Sequence, residues 1–266
     1  MTRLPDGIDP NRPSAARIYD CFLGGTHNFS ADRAVAARAV ELVPEIPIIA
    51  KDNRAFLRRA VRFAAAEGVE QFLDIGSGIP TEGNVHEVAR AARPDARVVY
   101  ADIEPTAVIH ARAILGDDPN TAAVQADLQN ADALLNHPDL RRLFDFSKPV
   151  CLLMIAMLHF IPDTSRLREA LRQYHAALPS GSLLAVSHGT PGSSRKGEQD
   201  TLAELYTRTG TPLVLRDRDQ LADLLGGWDL VDPGITYVSQ WRPDPGADPV
   251  AGPAFDIVLA AVARKR

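Results

Sequence analysis

The chain has 266 residues, 45% hydrophobic and 24% charged, which fits one large α/β domain whose core needs no disulfide or metal staple. A formal charge of -5 excludes the net positive field that non-specific nucleic-acid binding uses, and no apolar run reaches membrane-spanning length. Cys21 and Cys151 stand in apolar surroundings without metal-type spacing and read as buried free thiols, and the polar start carries no apolar signal region, so a cytoplasmic location is expected.

Residues 1–12 hold Pro, Asp, Gly and Asn with no apolar period and read as a mobile arm. Pro13 opens a helix with Ile18, Phe22 and Leu23 at helical spacing, and Gly24-Gly25 stops it. Ser30 is the expected N-cap of a second helix reaching about Val43. Pro44 and Pro47 break the pattern before a longer helix over about 48–67, with Phe56, Ala60, Phe63 and Ala64 on one stripe. Arg54, Arg58, Arg59 and Arg62 on that helix read as a solvated basic face.

The period then changes. Strands are predicted at 71–75, 97–101, 121–126, 149–156 and 182–187. Helices at 84–92, 105–115 and 164–178, and a polar, partly helical stretch up to Phe146, alternate with them. Helices at 196–209 and 218–225 follow, then strands at 229–240 and 255–264 joined by a loop from Pro243 to Pro253, which makes those two an antiparallel pair. The alternation predicts a parallel sheet with helices on both faces and a ligand outside the carboxyl ends of its strands. Residues 1–68 read as an arm and helical extension, or lid, packed as one unit with a ligand-binding domain at 69–266.

The first strand runs into Phe72-Leu-Asp-Ile-Gly-Ser-Gly-Ile-Pro80. Gly76 and Gly78 allow unusual backbone angles and close ligand approach, but such a loop also serves as a plain strand-to-helix turn. The second strand ends in Asp102, 24 residues after Gly78, where an acid can accept hydrogen bonds from ribose hydroxyls. The third ends at Asp127, within reach of an adenine amino group. Three acids closing three successive strands point to a nucleoside ligand. A dinucleotide fingerprint needs a third glycine where Thr81 stands, and Asp74, before the first glycine, suits an ammonium better than a phosphate. S-adenosylmethionine has an ammonium, a ribose and an adenine, and no phosphate.

The segment Phe72–Pro80 with Asp102 and Asp127 resembles the class I S-adenosylmethionine-dependent methyltransferases. Ser14–Phe29 and Pro80–His86 are similar to a bacterial family of S-adenosyl methyltransferases long catalogued as a domain of unknown function. The resemblance covers nearly the whole chain. It implies a Rossmann-like α/β sheet of seven strands, mostly parallel with one antiparallel, behind an N-terminal helical extension. It also implies that Asp74, Gly76 and Gly78 hold the methionine end, Asp102 the ribose, and Asp127 with Leu128 the adenine, with Ser77 and Ile103 as further cofactor-binding residues. Cys21 stands where similar proteins often carry an aromatic residue.

Methyl transfer from a sulfonium is an in-line displacement, so the protein mainly positions the reactants and needs no metal. A general base helps only where the acceptor must lose a proton. His159 and His188 follow the fourth and fifth strands and are the candidates, although each also reads as a structural, hydrogen-bonded histidine. Tyr19, Gly24, Gly25, Thr26 and Asn28, with Asn84 and His86 after the glycine loop, are candidate lid or acceptor contacts. The leading expectation is a methyltransferase acting on a small molecule, without nucleic-acid or membrane partners. A non-catalytic S-adenosylmethionine-binding sensor or partner protein is the alternative, and a nicotinamide-dependent oxidoreductase stands third.

Overall fold

The computed structural model describes residues 8–80, 83–191, 196–208, 210–248, 251–252 and 254–266. Thr81 and most of the expected N-terminal arm lie outside the described residues, as does Thr209, the expected end of its helix. Three helices come first: α1 (Ala15–Phe22), α2 (Ser30–Leu42) and α3 (Ile46–Ala66). The Ser14 hydroxyl caps α1 by accepting the Arg17 amide, and Gly24, at φ +79°, turns the chain away after it. Ser30 is the first residue of α2 and not its cap; the Asp32 carboxylate accepts the Phe29 amide at 2.8 Å. Pro47 does not interrupt α3 but stands in its first turn, where a missing N–H costs nothing.

Strands and helices then alternate: β1 (Gln71–Ile75), α4 (Val85–Ala92), β2 (Arg97–Asp102), α5 (Pro105–Leu115) and β3 (Thr121–Gln125). Two short helices, α6 (Ala131–Leu135) and α7 (Pro138–Leu143), lead to β4 (Val150–Ile155), α8 (Thr164–Ala177), β5 (Leu183–Gly189), α9 (Lys196–Arg208) and α10 (Arg218–Leu224). The chain closes with β6 (Asp229–Leu230), β7 (Thr236–Tyr237) and β8 (Val258–Arg264). The sheet order is β3-β2-β1-β4-β5-β8-β6, with β7 also on β8. Strands β1 to β5 pair in parallel, and β8 runs antiparallel to β5, β6 and β7.

Eight strands are present where seven were expected, because the strand expected over 229–240 is broken. Pro233 has no amide to give a ladder, and the Gly234 amide closes a turn on the Val231 carbonyl at 2.8 Å. Both fragments pair with β8, so they occupy one edge position in two pieces.

Both faces of the sheet are covered, which explains why its strands read as apolar runs. Leu73, Ile75, Leu152 and Leu184 pack with Leu167 and Leu171 of α8 on one face. Phe72, Val98, Leu153 and Ala185 pack with Phe56, Leu57 and Ala60 of α3 on the other. Each such leucine, isoleucine, valine or phenylalanine contributes roughly 1.5–3 kcal/mol by leaving water. Ile18 and Phe22 of α1, Ala36 and Ala39 of α2 and Leu202 and Tyr206 of α9 form a third apolar cluster. Cys151 is buried and Cys21 half-buried, both as free thiols. Among the described residues no helix is long and apolar enough to cross a membrane.

Candidate cofactor and acceptor site

The parallel register brings the ends of β1, β2 and β3 to one edge, with Ile75 opposite Ala101 and Asp102 opposite Gln125. A cavity of about 730 Å³ opens there, within the range of small-molecule sites. Gly76, Ser77, Gly78, Asp102, Ile103, Asp127 and Leu128 all line it. Gly76 and Gly78 have φ of +69° and +64°, a left-handed backbone that side chains disfavour. A Cβ on Gly76 would strike Met157 at 2.7 Å, whereas one on Gly78 would meet nothing within 4 Å and point into open space.

Asp102 is held by the loop it serves. Its carboxylate accepts the Gly78 amide at 2.7 Å and the Glu104 amide at 2.8 Å. Burial raises its pKa and these two hydrogen bonds oppose that rise. Each oxygen has further lone-pair capacity for a ligand on the cavity side. The Ile103 side chain stands 64% exposed on the cavity wall, an apolar surface without a cover. Asp127 steadies its own turn through the Gln129 amide, and the Leu128 carbonyl accepts the Tyr174 hydroxyl at 3.1 Å.

Asp74 is buried and does not itself line the cavity, and its carboxylate receives no hydrogen bond among the described residues. Burial pushes its pKa up to about 7; the Arg54 guanidinium opposes the rise and the Asp102 charge adds to it. Arg54 lines the cavity from α3, and its Nε is buried without a hydrogen-bond partner. The basic face expected on this helix is therefore not a uniformly solvated one. Arg59 is buried as well, donating to the Trp241 carbonyl at 2.9 Å and to that of Val238. Sequence reasoning missed Arg54. Its signal was phase: Asn53 and Arg54 interrupt an apolar stripe through Ala50 and Leu57 at spacings of three and four.

The two histidine candidates separate. His159 lies in a 3₁₀ turn (Leu158–Phe160) after β4 and lines the cavity. Its Nδ1 accepts the Gly189 amide at 3.2 Å. His188 is fully buried and lies outside the cavity wall. Its Nδ1 donates to the Gly189 carbonyl at 2.7 Å and its Nε2 accepts from Arg216 at 3.0 Å. Burial, with Arg216 adding to it, pushes its pKa down to about 4 against the Gly189 hydrogen bond. Both ring nitrogens are occupied, so the base role expected of His188 is replaced by a structural one.

Of the expected lid and acceptor contacts, only Tyr19 lines the cavity. Gly24, Gly25, Thr26 and Asn28 instead build the turn after α1. Asn28 donates to Asp20 at 2.8 Å, and a Cβ on Gly25 would fall 2.0 Å from an Asp20 oxygen. Asn84 starts α4, its amide bonded to Glu87, and His86 Nδ1 meets the Tyr100 hydroxyl at 2.7 Å. These two face the α4–β2 packing and not the cavity. Arg17 of α1 was not singled out from sequence. It pairs with Asp32 at 2.8 Å and with Glu104 at 2.9 Å, which ties α1 to the segment just beyond Asp102. Among the described residues, no group of three or more His, Cys, Asp or Glu is arranged to hold a metal ion.

Comparison with known proteins agrees with this geometry. A structure of a provisionally assigned methyltransferase from Thermobifida fusca YX is 39% identical, with full coverage of both chains and a TM-score of 0.92. A protein of the DUF574 family from Streptomyces avermitilis is 35% identical, with 97% of this chain and 99% of that one covered and a TM-score of 0.91. The N-methyltransferase NodS from Bradyrhizobium japonicum, 14% identical with 82% and 87% covered and a TM-score of 0.50, shares the fold. No curated protein matches the chain. The family model described as S-adenosyl methyltransferase matches residues 1–266, and the chain belongs to that family.

Proposed function

We propose that this chain transfers the methyl group of S-adenosylmethionine to a small-molecule acceptor. The observation that carries the cofactor is the cavity edge formed by Asp102, Asp127 and the glycine loop at the ends of three parallel strands. The residues present suit that molecule. Asp102 offers paired carboxylate oxygens to the ribose hydroxyls. Ile103 and Leu128 offer apolar surface to the adenine, and Asp127 an acceptor to its amino group. Open space at Gly78 admits the chain between ribose and amino acid. Arg54, with a buried unpartnered Nε on the cavity wall, complements the methionine carboxylate, and the charge of Asp74, which stands behind that wall, favours the ammonium. The bound sulfonium supplies the reactive methyl group; the protein's share is position and exclusion of water.

Tyr19 and Arg17 of α1, Asn53 of α3 and Leu202 and Tyr206 of α9 line the cavity beyond the strand ends, which supports a cap over both reactants. Such a chamber suits a small acceptor better than a polymer, and the charge of -5 disfavours a polyanion. Two free cysteines suit the reducing cytoplasm. The test uses the protein, methyl-labelled S-adenosylmethionine and a desalted extract re-supplied with its small molecules. Label is expected in the small-molecule fraction. Label confined to protein or nucleic acid contradicts the acceptor class, and tight cofactor binding with no labelled product supports the sensor reading instead.

A further inference from the structure

The cavity beyond the glycine loop changes character. Its walls there include Phe22, Ile49, Phe160, Leu202, Tyr206 and Leu213. Tyr19 and Asn53 in this half are tied back into the protein. The Tyr19 hydroxyl donates to the Ala50 carbonyl at 3.1 Å and accepts from Asn53 at 2.9 Å. Asn53 Oδ1 accepts from the Ser187 hydroxyl at 2.6 Å. Burial also raises the Tyr19 pKa, so it keeps its proton. Asp20, the acid of α1 on the cavity wall, keeps Oδ1 buried without a hydrogen-bond partner and uses Oδ2 in the turn after α1. It accepts the His27 amide and the Asn28 side chain, and the His27 ring stacks edge-on against His110 of α5 at 4.3 Å.

His159 keeps a donor free. Because the Gly189 amide donates to Nδ1, that nitrogen carries the lone pair and the ring proton sits on Nε2. Burial first, then His188 and Arg216, holds its pKa well below the ordinary value, so the ring is neutral. The side chain is only 8% exposed, it lines the cavity, and its Nε2 has no hydrogen-bond partner among the described residues. On the chamber wall that N–H has no protein acceptor among the described residues and is left for a ligand.

Behind it stands a cation. Arg216 is buried and donates to the carbonyls of Leu158 and Ile161, to the Thr164 hydroxyl and to His188, at 2.9 to 3.3 Å. All four partners are neutral, and among the described residues no carboxylate pairs with it. Its charge reaches the His159 ring uncompensated. A hydrogen-bond donor backed by a positive field at the end of an apolar chamber selects an anion carried on an apolar body.

We infer that the methyl acceptor is an organic monocarboxylate with an aromatic or aliphatic body, one of its oxygens accepting the His159 Nε2–H. The inference rests on the methyltransferase reading above. The second carboxylate oxygen forms the new carbon–oxygen bond with a lone pair while the methyl–sulfur bond breaks and its electron pair stays on sulfur. A carboxylate and a sulfonium become a methyl ester and a neutral thioether. No proton has to leave, which matches a histidine that presents a proton and not a lone pair. Opposite charges cancel along the reaction, so apolar walls favour it. A neutral amine would instead yield a cation beside Arg216, with a proton to lose and no free base to take it.

The test is calorimetry on the full chain. Titration with S-adenosylhomocysteine comes first, and absence of binding there defeats the methyltransferase reading itself. The saturated protein is then titrated with phenylacetate, octanoate, phenethyl alcohol, phenethylamine and para-nitrophenolate. At least one carboxylate is expected to bind about tenfold or more tighter than the alcohol, with the amine weakest. In His159→Phe the carboxylate should fall to the level of the alcohol, with S-adenosylhomocysteine affinity within about twofold of wild type; His159→Gln, which restores an N–H, should recover part of the loss. The proposal is overturned if the alcohol, amine or phenolate binds as tightly as the carboxylates, or if neither carboxylate binds. An unchanged carboxylate affinity in folded His159→Phe overturns it too. The wild-type series decides by itself should the variant not fold.

Discussion

The two halves of the cavity stand on different scaffolds. The cofactor side is built on the ends of β1, β2 and β3, whose mutual positions are fixed by the sheet ladder. The side proposed for the acceptor is assembled from α1, α3, α9 and the loop beyond α9, which meet through a separate apolar cluster and a few side-chain hydrogen bonds and not through a backbone ladder. A ligand common to a whole family suits the rigid half, and a variable one suits the half that can be repacked without disturbing the ladder. The Arg17 guanidinium joins them, since it bonds Asp32 within the cap and Glu104 beside Asp102.

Breaking that junction should have the largest effect. Arg17 and Asp32 are 2% and 0% exposed, so Arg17→Leu strands a buried carboxylate and should cost about 3–5 kcal/mol, read by denaturant unfolding. A loss below about 1 kcal/mol would mean that the cap is not anchored there. Within the cofactor half, Asp102→Ala should weaken S-adenosylhomocysteine binding by about a hundredfold, because both the ribose acceptor and the anchor of the Gly78 amide disappear. A change under about twofold would remove Asp102 from the site.

Gly25→Ala tests independence of the halves. Its Cβ would collide with Asp20, so the turn after α1 must shift, lowering stability by about 1–3 kcal/mol. Affinity for S-adenosylhomocysteine should stay within about threefold; a collapse in affinity would show that cap and cofactor seat act as one.

Asp74 should give the molecule a pH dependence. Its native pKa, about 7, lies above the ordinary carboxylate value, so the native state keeps a proton that the unfolded chain has already released. Stability of the free protein should therefore fall as pH rises from about 4 to about 7. An ammonium favours the ionised form, so cofactor affinity should rise by about tenfold between about pH 6 and pH 8, with proton release seen by calorimetry in two buffers. Asp74→Asn should flatten both slopes, and slopes that persist would place the titrating group elsewhere.

Legibility followed the same division. The glycine loop and the acids at positions 102 and 127 were visible because each lies at the end of an apolar run, and strand ends share an edge in any parallel sheet. The limits of α5 and β1 fell where apolar period and flanking Pro or Gly placed them. Asn53 and Arg54 were not visible as site residues, because they reach the cavity only through tertiary packing, whereas Tyr19 and His159 were marked by their places after Pro13 and after the fourth strand. The histidines at 159 and 188 looked alike by strand-end position, and only the hydrogen bonds of Gly189 and Arg216 distinguish them. Asn84 and His86 sit beside the glycine loop in sequence, yet the start of α4 turns them toward Glu87 and Tyr100. The break in the last edge strand came from one proline in an otherwise β-forming stretch.

On the proposed reading, the cavity edge at Asp102, Asp127 and the glycine loop, with Asp74 behind it, takes a nucleoside with an ammonium group and no phosphate. Parallel calorimetric titrations of the full chain with S-adenosylhomocysteine and with NAD test it most directly. The account predicts one S-adenosylhomocysteine bound per chain and no heat from NAD. Saturable binding of NAD with none of S-adenosylhomocysteine would contradict it.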